Sequence, residues 1–185
     1  MKKTIIILLT VLIVVLGCSK ADNGNKGNNK EVKNNEKVEK TKEKLVPQNM
    51  PDVSLKTFEG KEVDFKKFEG NVVLVDFWAT TCPYCVKEFP GYVELYEKYK
   101  DKGFKIIGIS YDQDKNKVDK FLKENGVNFT IVKGTKEAAE KFGGIKGIPT
   151  TFIFDKKGNI VQKQVGYTPD YKEKFEKTIK KYLNK

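Results

Sequence analysis

Val75 to Pro90 reads V-D-F-W-A-T-T-C-P-Y-C-V-K-E-F-P, and its two cysteines decide how the rest of the chain is read. They stand two residues apart, where an apolar run from Val72 to Trp78 gives way to a helical pattern. That placement puts Cys82 at the mouth of a helix, where unpaired backbone N–H groups and the helix dipole favour the thiolate. The thiolate is the form that attacks disulfides, so the stretch points to thiol–disulfide exchange. A bare C-x-x-C also fits a structural clip or half of a metal site.

Composition narrows these alternatives. A chain of 185 residues with 38% hydrophobic and 33% charged residues suits one ordinary domain with appendages. All 36 basic residues are Lys and there is no His. The usual general base, the usual zinc nitrogen ligand and any Ser-His or Cys-His pair are therefore missing, and no metal is expected. The net charge of +11 is spread as Lys interspersed with Asp and Glu, with no aromatic-rich basic module. No nucleic-acid partner is expected; a solvated surface compatible with anionic membrane is.

The start of the chain reads as an export signal. Met1-Lys2-Lys3 precedes an apolar run from Ile5 to Leu16, broken only by Thr10 and too short to span a bilayer comfortably. Val15-Leu16-Gly17-Cys18 resembles the lipobox of bacterial lipoproteins, which implies cleavage after residue 17 and lipid on Cys18. The competing reading is an uncleaved anchor with an incidental cysteine. Lipidation leaves Cys82 and Cys85 as a single pair and places the protein outside the cytoplasm, anchored to a bacterial membrane. Residues 18–46 are Lys, Asn, Glu and Gly with little to bury, and read as a disordered tether. The folded domain is expected over 47–185.

Within it, Val53/Leu55 and Val63/Phe65 alternate about a Glu59-Gly60 turn, a small hairpin. Val72 to Val75 and the Ile-rich stretch from Phe104 to Ser110 read as buried strands joined by a helix from Pro83 to about Lys100, and so as parallel. Pro90 should kink that helix, and Phe89, Tyr92, Val93 and Tyr96 make its inner face. Val118, Phe121 and Leu122 mark a second helix, Phe129 to Val132 a strand, and Ala138, Ala139 and Phe142 a brief helix. A hairpin over Thr151 to Phe154 and Ile160 to Val165 follows. Tyr171, Phe175, Ile179 and Leu183 then recur every four residues, describing a helix that covers the sheet; an interfacial membrane helix is the alternative. The order predicts an α/β fold, a mixed sheet flanked by helices.

Strand, W-A-x-x-C-x-x-C at a helix start, an isolated Pro entering a hairpin and a closing helix resemble thioredoxin. The leading hairpin with Met50-Pro51-Asp52-Val53-Ser54-Leu55, the Lys87-Glu88-Phe89-Pro90 continuation and the insertion from about Lys115 to Val132 resemble its TlpA/ResA branch. The resemblance spans Pro51 to Leu183 and implies a thioredoxin fold with an N-terminal β-hairpin and a central βα insertion. It implies Cys82 as nucleophile and the more buried Cys85 as resolving thiol, in a cycle that needs no cofactor beyond the redox-active pair. Asp76 matches thioredoxin's buried carboxylate, the proton acceptor for the second cysteine, where the closer branch commonly has Asn. A strand-end Asp bonded to nearby backbone is the competing reading, and Glu88 is a second acid/base candidate. Gly147-Ile148-Pro149-Thr150 matches the cis-proline loop that offers backbone to substrate. Trp78 packs beside the site or simply in the core, Thr81 replaces the usual Trp, and Pro83-Tyr84 is the glutaredoxin dipeptide.

The expected function is a monomeric, membrane-tethered oxidoreductase that reduces disulfides of exported proteins, supplied by a membrane electron donor of the CcdA/DsbD type. Resemblance offers apocytochrome c or an extracytoplasmic methionine sulfoxide reductase as substrate. Two other classes compete: a peroxiredoxin-like thiol peroxidase, disfavoured because no P-x-x-x-T/S-x-x-C pattern surrounds Cys82, and a non-catalytic binding lipoprotein with a permanent disulfide.

Overall fold

A computed structural model describes residues 47–185. The expected signal peptide, the expected lipidation site Cys18 and the expected tether lie outside the described residues. Among those described, no helix is long and apolar enough to cross a membrane.

The order is β1 (Ser54–Lys56), β2 (Glu62–Asp64), β3 (Val72–Trp78), α1 (Pro83–Tyr99), β4 (Phe104–Ser110), α2 (Lys115–Glu124), β5 (Thr130–Lys133), α3 (Lys136–Lys141), β6 (Thr150–Phe154), β7 (Ile160–Val165) and α4 (Tyr171–Leu183). β1 and β2 form their own two-stranded sheet, and the main sheet runs β5-β4-β3-β6-β7. β3 is parallel to β4 and antiparallel to β6. All seven residues of β3 are buried, as a continuous apolar strand covered on both faces requires. This is the α/β mixed sheet that the element order predicts, in the thioredoxin arrangement that the resemblance implies. The second strand of the hairpin is shorter than expected: Phe65 opens a 3-10 turn (Phe65–Phe68) started by the Asp64 side chain, which accepts from Lys66 N–H.

Alternation along β3 divides the core. Leu74 and Trp78 face a cluster with Phe89, Tyr92 and Leu95 of α1 and Phe175 and Ile179 of α4. Val73, Val75 and Phe77 face Leu55, Ala138, Phe142, Phe152 and Phe154 on the other side. The buried residues of α1 are Cys85, Glu88, Phe89, Gly91, Tyr92, Leu95 and Tyr99; Val93 and Tyr96 are half-buried. The expected inner face is therefore present, with Val93 and Tyr96 packed against its cluster from the edge, and it also holds Glu88, a carboxyl group at a position that hydrophobicity alone assigns to solvent. Tyr171, Phe175 and Ile179 are buried, so α4 packs on the sheet.

α1 continues through Pro90, which points outward and cannot donate to the carbonyl one turn back. Just after it, Tyr171 of α4 lies so close to Gly91 that an added Cβ would meet the hydroxyl at 2.1 Å and the ring at 2.8 Å. The same hydroxyl donates to the Glu88 carbonyl at 3.0 Å, so the ring is held and cannot swing away cheaply. Gly91→Ala should therefore destabilise the fold by about 1–3 kcal/mol despite alanine's better helix propensity. Urea unfolding checks this as a lower midpoint at unchanged slope.

Candidate active site

The site begins at the C-terminal end of β3. Tyr111 N–H donates to the Trp78 carbonyl at 2.9 Å. Asp112, just past β4, accepts from Thr80 N–H and from the Thr80 hydroxyl, both at 2.7 Å, and from Ser110 at 2.9 Å. These bonds tie the loop between β3 and α1 to the neighbouring strand, so the cysteines enter α1 from a fixed point. Sequence reasoning missed Asp112, since nothing in the spacing between two strands announces a clamp.

Cys82 is the N-cap of α1, with extended backbone, and its sulfur accepts from Cys85 N–H at 3.2 Å. One otherwise orphaned donor of the helix start thus points at the sulfur, the arrangement that favours a thiolate there. Cys82 is half-buried and Cys85 wholly buried, and the two are joined as a disulfide. Among the described residues no group of three or more His, Cys, Asp or Glu is assembled that could hold a metal.

The remaining sequence candidates divide into three groups. Thr81, Pro83 and Tyr84 are exposed. Tyr84 stacks on Tyr167 with ring centroids 5.8 Å apart, and the Lys87 ammonium lies 5.3 Å from the first ring and 5.9 Å from the second. Trp78 is a core residue in the same cluster as Cys85, 4.4 Å from the Phe89 ring and 5.1 Å from the Phe121 ring. The Ile148–Pro149 bond is cis. Its loop is braced by the Thr150 hydroxyl donating to Gly147 O at 2.7 Å and by Gly166 N–H donating to Pro149 O at 2.8 Å, where Gly166 turns the chain at φ +79°. Pro149 and Thr150 are buried and Ile148 is half-buried, touching both core clusters.

The third group is acidic and lies beneath α1. Asp76 sits inside β3 and not at its end, and its partner is a side chain and not backbone: Thr151 Oγ1, directly across the antiparallel pairing with β6, lies 3.0 Å from Oδ1. Glu88, one turn after Cys85, accepts from the Tyr92 hydroxyl at 3.1 Å. The Tyr92 and Thr151 hydroxyl oxygens are themselves 3.1 Å apart. Asp76 Oδ2 and Glu88 Oε1 have no hydrogen-bond partner among the described residues. Burial raises Asp76 well above the usual carboxylate range, with the Glu88 charge as second cause and the Thr151 bond opposing. Burial likewise pushes Glu88 up to about 7 against the opposing Tyr92 bond. Such acids are suited to exchanging protons near neutrality. Tyr92 and Thr151 were legible in the sequence only as core and strand residues.

Two raised carboxyl groups carry a stability consequence of definite sign. The folded protein keeps protons that the unfolded chain sheds from the ordinary range upward, so stability should fall as pH rises from 4.5 towards about 7. Each such group contributes a slope approaching about 1.4 kcal/mol per pH unit. Salt-bridged Glu176, held down at about 2, acts below that window and in the opposite sense. Urea unfolding of the oxidised protein across the window should show the decline, flattened in Glu88→Gln.

Comparison with known proteins agrees with this geometry. The Redoxin family model matches residues 45–179. The thiol-disulfide oxidoreductase ResA of Bacillus thuringiensis subsp. konkukian is 35% identical over 131 residues, covering 71% of this chain and 75% of the relative. The crystal structure of a thiol:disulfide interchange protein of the thioredoxin family from Chlorobium tepidum superposes with a TM-score of 0.67 at 31% identity, covering 74% of this chain and 97% of that one. StoA from Bacillus subtilis superposes at 0.58 with 27% identity, covering 71% and 98%. The peroxidase and non-catalytic readings are set aside by these relatives. The chain belongs to the Redoxin family and is, within it, a ResA-like thiol–disulfide oxidoreductase of thioredoxin fold.

Proposed function

We propose that the protein is a lipid-anchored, extracytoplasmic reductase of disulfides in exported proteins. The observation that carries the chemistry is the unequal burial of the two sulfurs: Cys82 reaches the surface as the cap of α1, while Cys85 lies beneath it. Cys82 as thiolate attacks a target disulfide and forms a mixed disulfide. Cys85 then attacks Cys82 and releases the reduced target, and the cycle needs no cofactor. Asp76 and Glu88 serve as acid/base groups for Cys85. The cis Ile148–Pro149 segment offers backbone to the substrate, and exposed Thr81, Pro83 and Tyr84 shape the surface it meets.

The location rests on the sequence: the Lys-led apolar segment ending in Leu16-Gly17-Cys18 supports export and lipidation at Cys18, followed by a polar tether. A monomer on such a tether can turn between a membrane electron donor of the CcdA/DsbD type and soluble substrates. Apocytochrome c and an extracytoplasmic methionine sulfoxide reductase are the substrate classes proposed.

Cys85→Ala should accumulate mixed disulfides through Cys82 in intact cells, visible on non-reducing gels and lost on reduction. Insulin reduction should fall to background in Cys82→Ser. Turnover unchanged in that variant, or no trapped species with Cys82 accessible, would refute the cycle.

A further inference from the structure

Three short contacts join the two buried carboxyl groups in a line: Asp76 Oδ1 to Thr151 Oγ1, Thr151 Oγ1 to Tyr92 OH, and Tyr92 OH to Glu88 Oε2, at 3.0, 3.1 and 3.1 Å. Each of the four residues is at least 98% buried. Three contacts need three protons to be hydrogen bonds. The tyrosine and the threonine bring one each. With both acids ionised the line is one proton short, and two oxygen lone pairs face each other in a dry interior. With one acid protonated the count closes.

The closed line has two equivalent forms. In one, Asp76 donates to Thr151, Thr151 to Tyr92, and Tyr92 to ionised Glu88. Moving each of the three protons one oxygen along yields protonated Glu88 and ionised Asp76 with every contact still filled. We propose that Asp76, Thr151, Tyr92 and Glu88 form a single one-proton unit, in which Tyr92 and Thr151 are positioning residues that let either carboxyl hold the proton exchanged with Cys85.

The surroundings favour one charge in this unit over two. β3 and β6 contribute Leu74, Trp78 and Ile153 to the same cluster, and α4 contributes Phe175 and Tyr171. The Tyr171 hydroxyl is committed to the Glu88 backbone carbonyl, and burial pushes its own ionisation up to about 12. Among the described residues, Glu88 is the only charge bearing on Asp76, and no Lys pairs with either acid. Burial raises both carboxyls, Glu88 to about 7 and Asp76 well above the usual carboxylate range with the Glu88 charge adding to it, so the second ionisation of the unit is the disfavoured one.

This inference rests on Cys85 being the resolving thiol. In that step the Cys85 S–H proton passes to the unit, and the sulfur's electron pair makes the Cys85–Cys82 bond. The bond from Cys82 to the target breaks, and the target sulfur leaves with that bond's pair as thiolate. The target gains two electrons, the Cys82/Cys85 pair loses two, and the unit returns its proton to solvent or to the departing thiolate.

NMR titration of the Glu88 and Asp76 carboxyl carbons in the reduced protein tests the unit. Thr151 is not hydrogen-bonded to Glu88, yet Thr151→Val should move the Glu88 midpoint by about one pH unit or more, and Thr151→Ser should restore it. Should Thr151→Val not fold, Tyr92→Phe read at Asp76 asks the same question, since Tyr92 is not hydrogen-bonded to Asp76. Above pH 7, each break should slow resolution of a preformed Cys82 mixed disulfide by about tenfold, and the double variant should be no slower than the slower single one. A Glu88 midpoint unmoved by Thr151→Val, or rate losses that multiply in the double variant, would mean two independent acids and overturn the proposal. The titration needs no turnover: coupled midpoints alongside absent insulin reduction would uphold the unit and refute the reductase reading instead.

Discussion

The antiparallel pairing of β6 against β3 is the contact on which the rest of the site depends. It sets Thr151 opposite Asp76 and Thr150 opposite Phe77, and thereby brings the cis-proline loop to the end of the strand from which the cysteine loop leaves. β3 itself cannot slip. A one-residue shift would turn Leu74, Asp76 and Trp78 away from α1 and put Val73, Val75 and Phe77 in their place, exchanging two cores of different shape.

Around that pairing the molecule separates charge that is screened from charge that is not. Lys side chains form exposed pairs, such as Lys66 with Asp52 and Lys174 with Asp170, each worth little in water. Beneath α1 the protein instead buries two carboxyl groups with no cation beside them among the described residues. That arrangement costs stability as pH rises towards about 7, and in a chain that has no His it offers groups suited to exchanging protons. The cost falls beside the core cluster that α1, β3, β6 and α4 share with Cys85.

Much of this was legible beforehand. The hydrophobic periods gave the element order, because strands buried on both faces and an amphipathic closing helix leave plain patterns in Val72 to Trp78 and Tyr171 to Leu183. The inner face of α1 is the expected one at Phe89 and Tyr92, with Val93 and Tyr96 packed at its edge, but Glu88 within it was legible only as an acid/base candidate, since hydrophobicity assigns a carboxyl group to solvent. For Asp76 the structure agrees with the buried carboxyl group and not with the competing strand-end reading, which the sequence left open because the extent of β3 past it depends on partners that lie far along the chain. Asp112 carried no signal, and Tyr92 and Thr151 were legible only as core and strand residues, because each makes its bond to a residue on another element.

The sequence by itself determined the reactive centre: a C-x-x-C at a strand-to-helix junction fixes which sulfur caps the helix and which lies a turn inside, and those are local consequences of backbone geometry. Tertiary structure alone decided what surrounds it. Asp76 and Thr151 are 75 positions apart, and Tyr92 and Thr151 are 59 apart. They meet because β6 returns antiparallel beside β3 under α1, and strand order is a property of the whole packed sheet, invisible to any window of residues read along the chain.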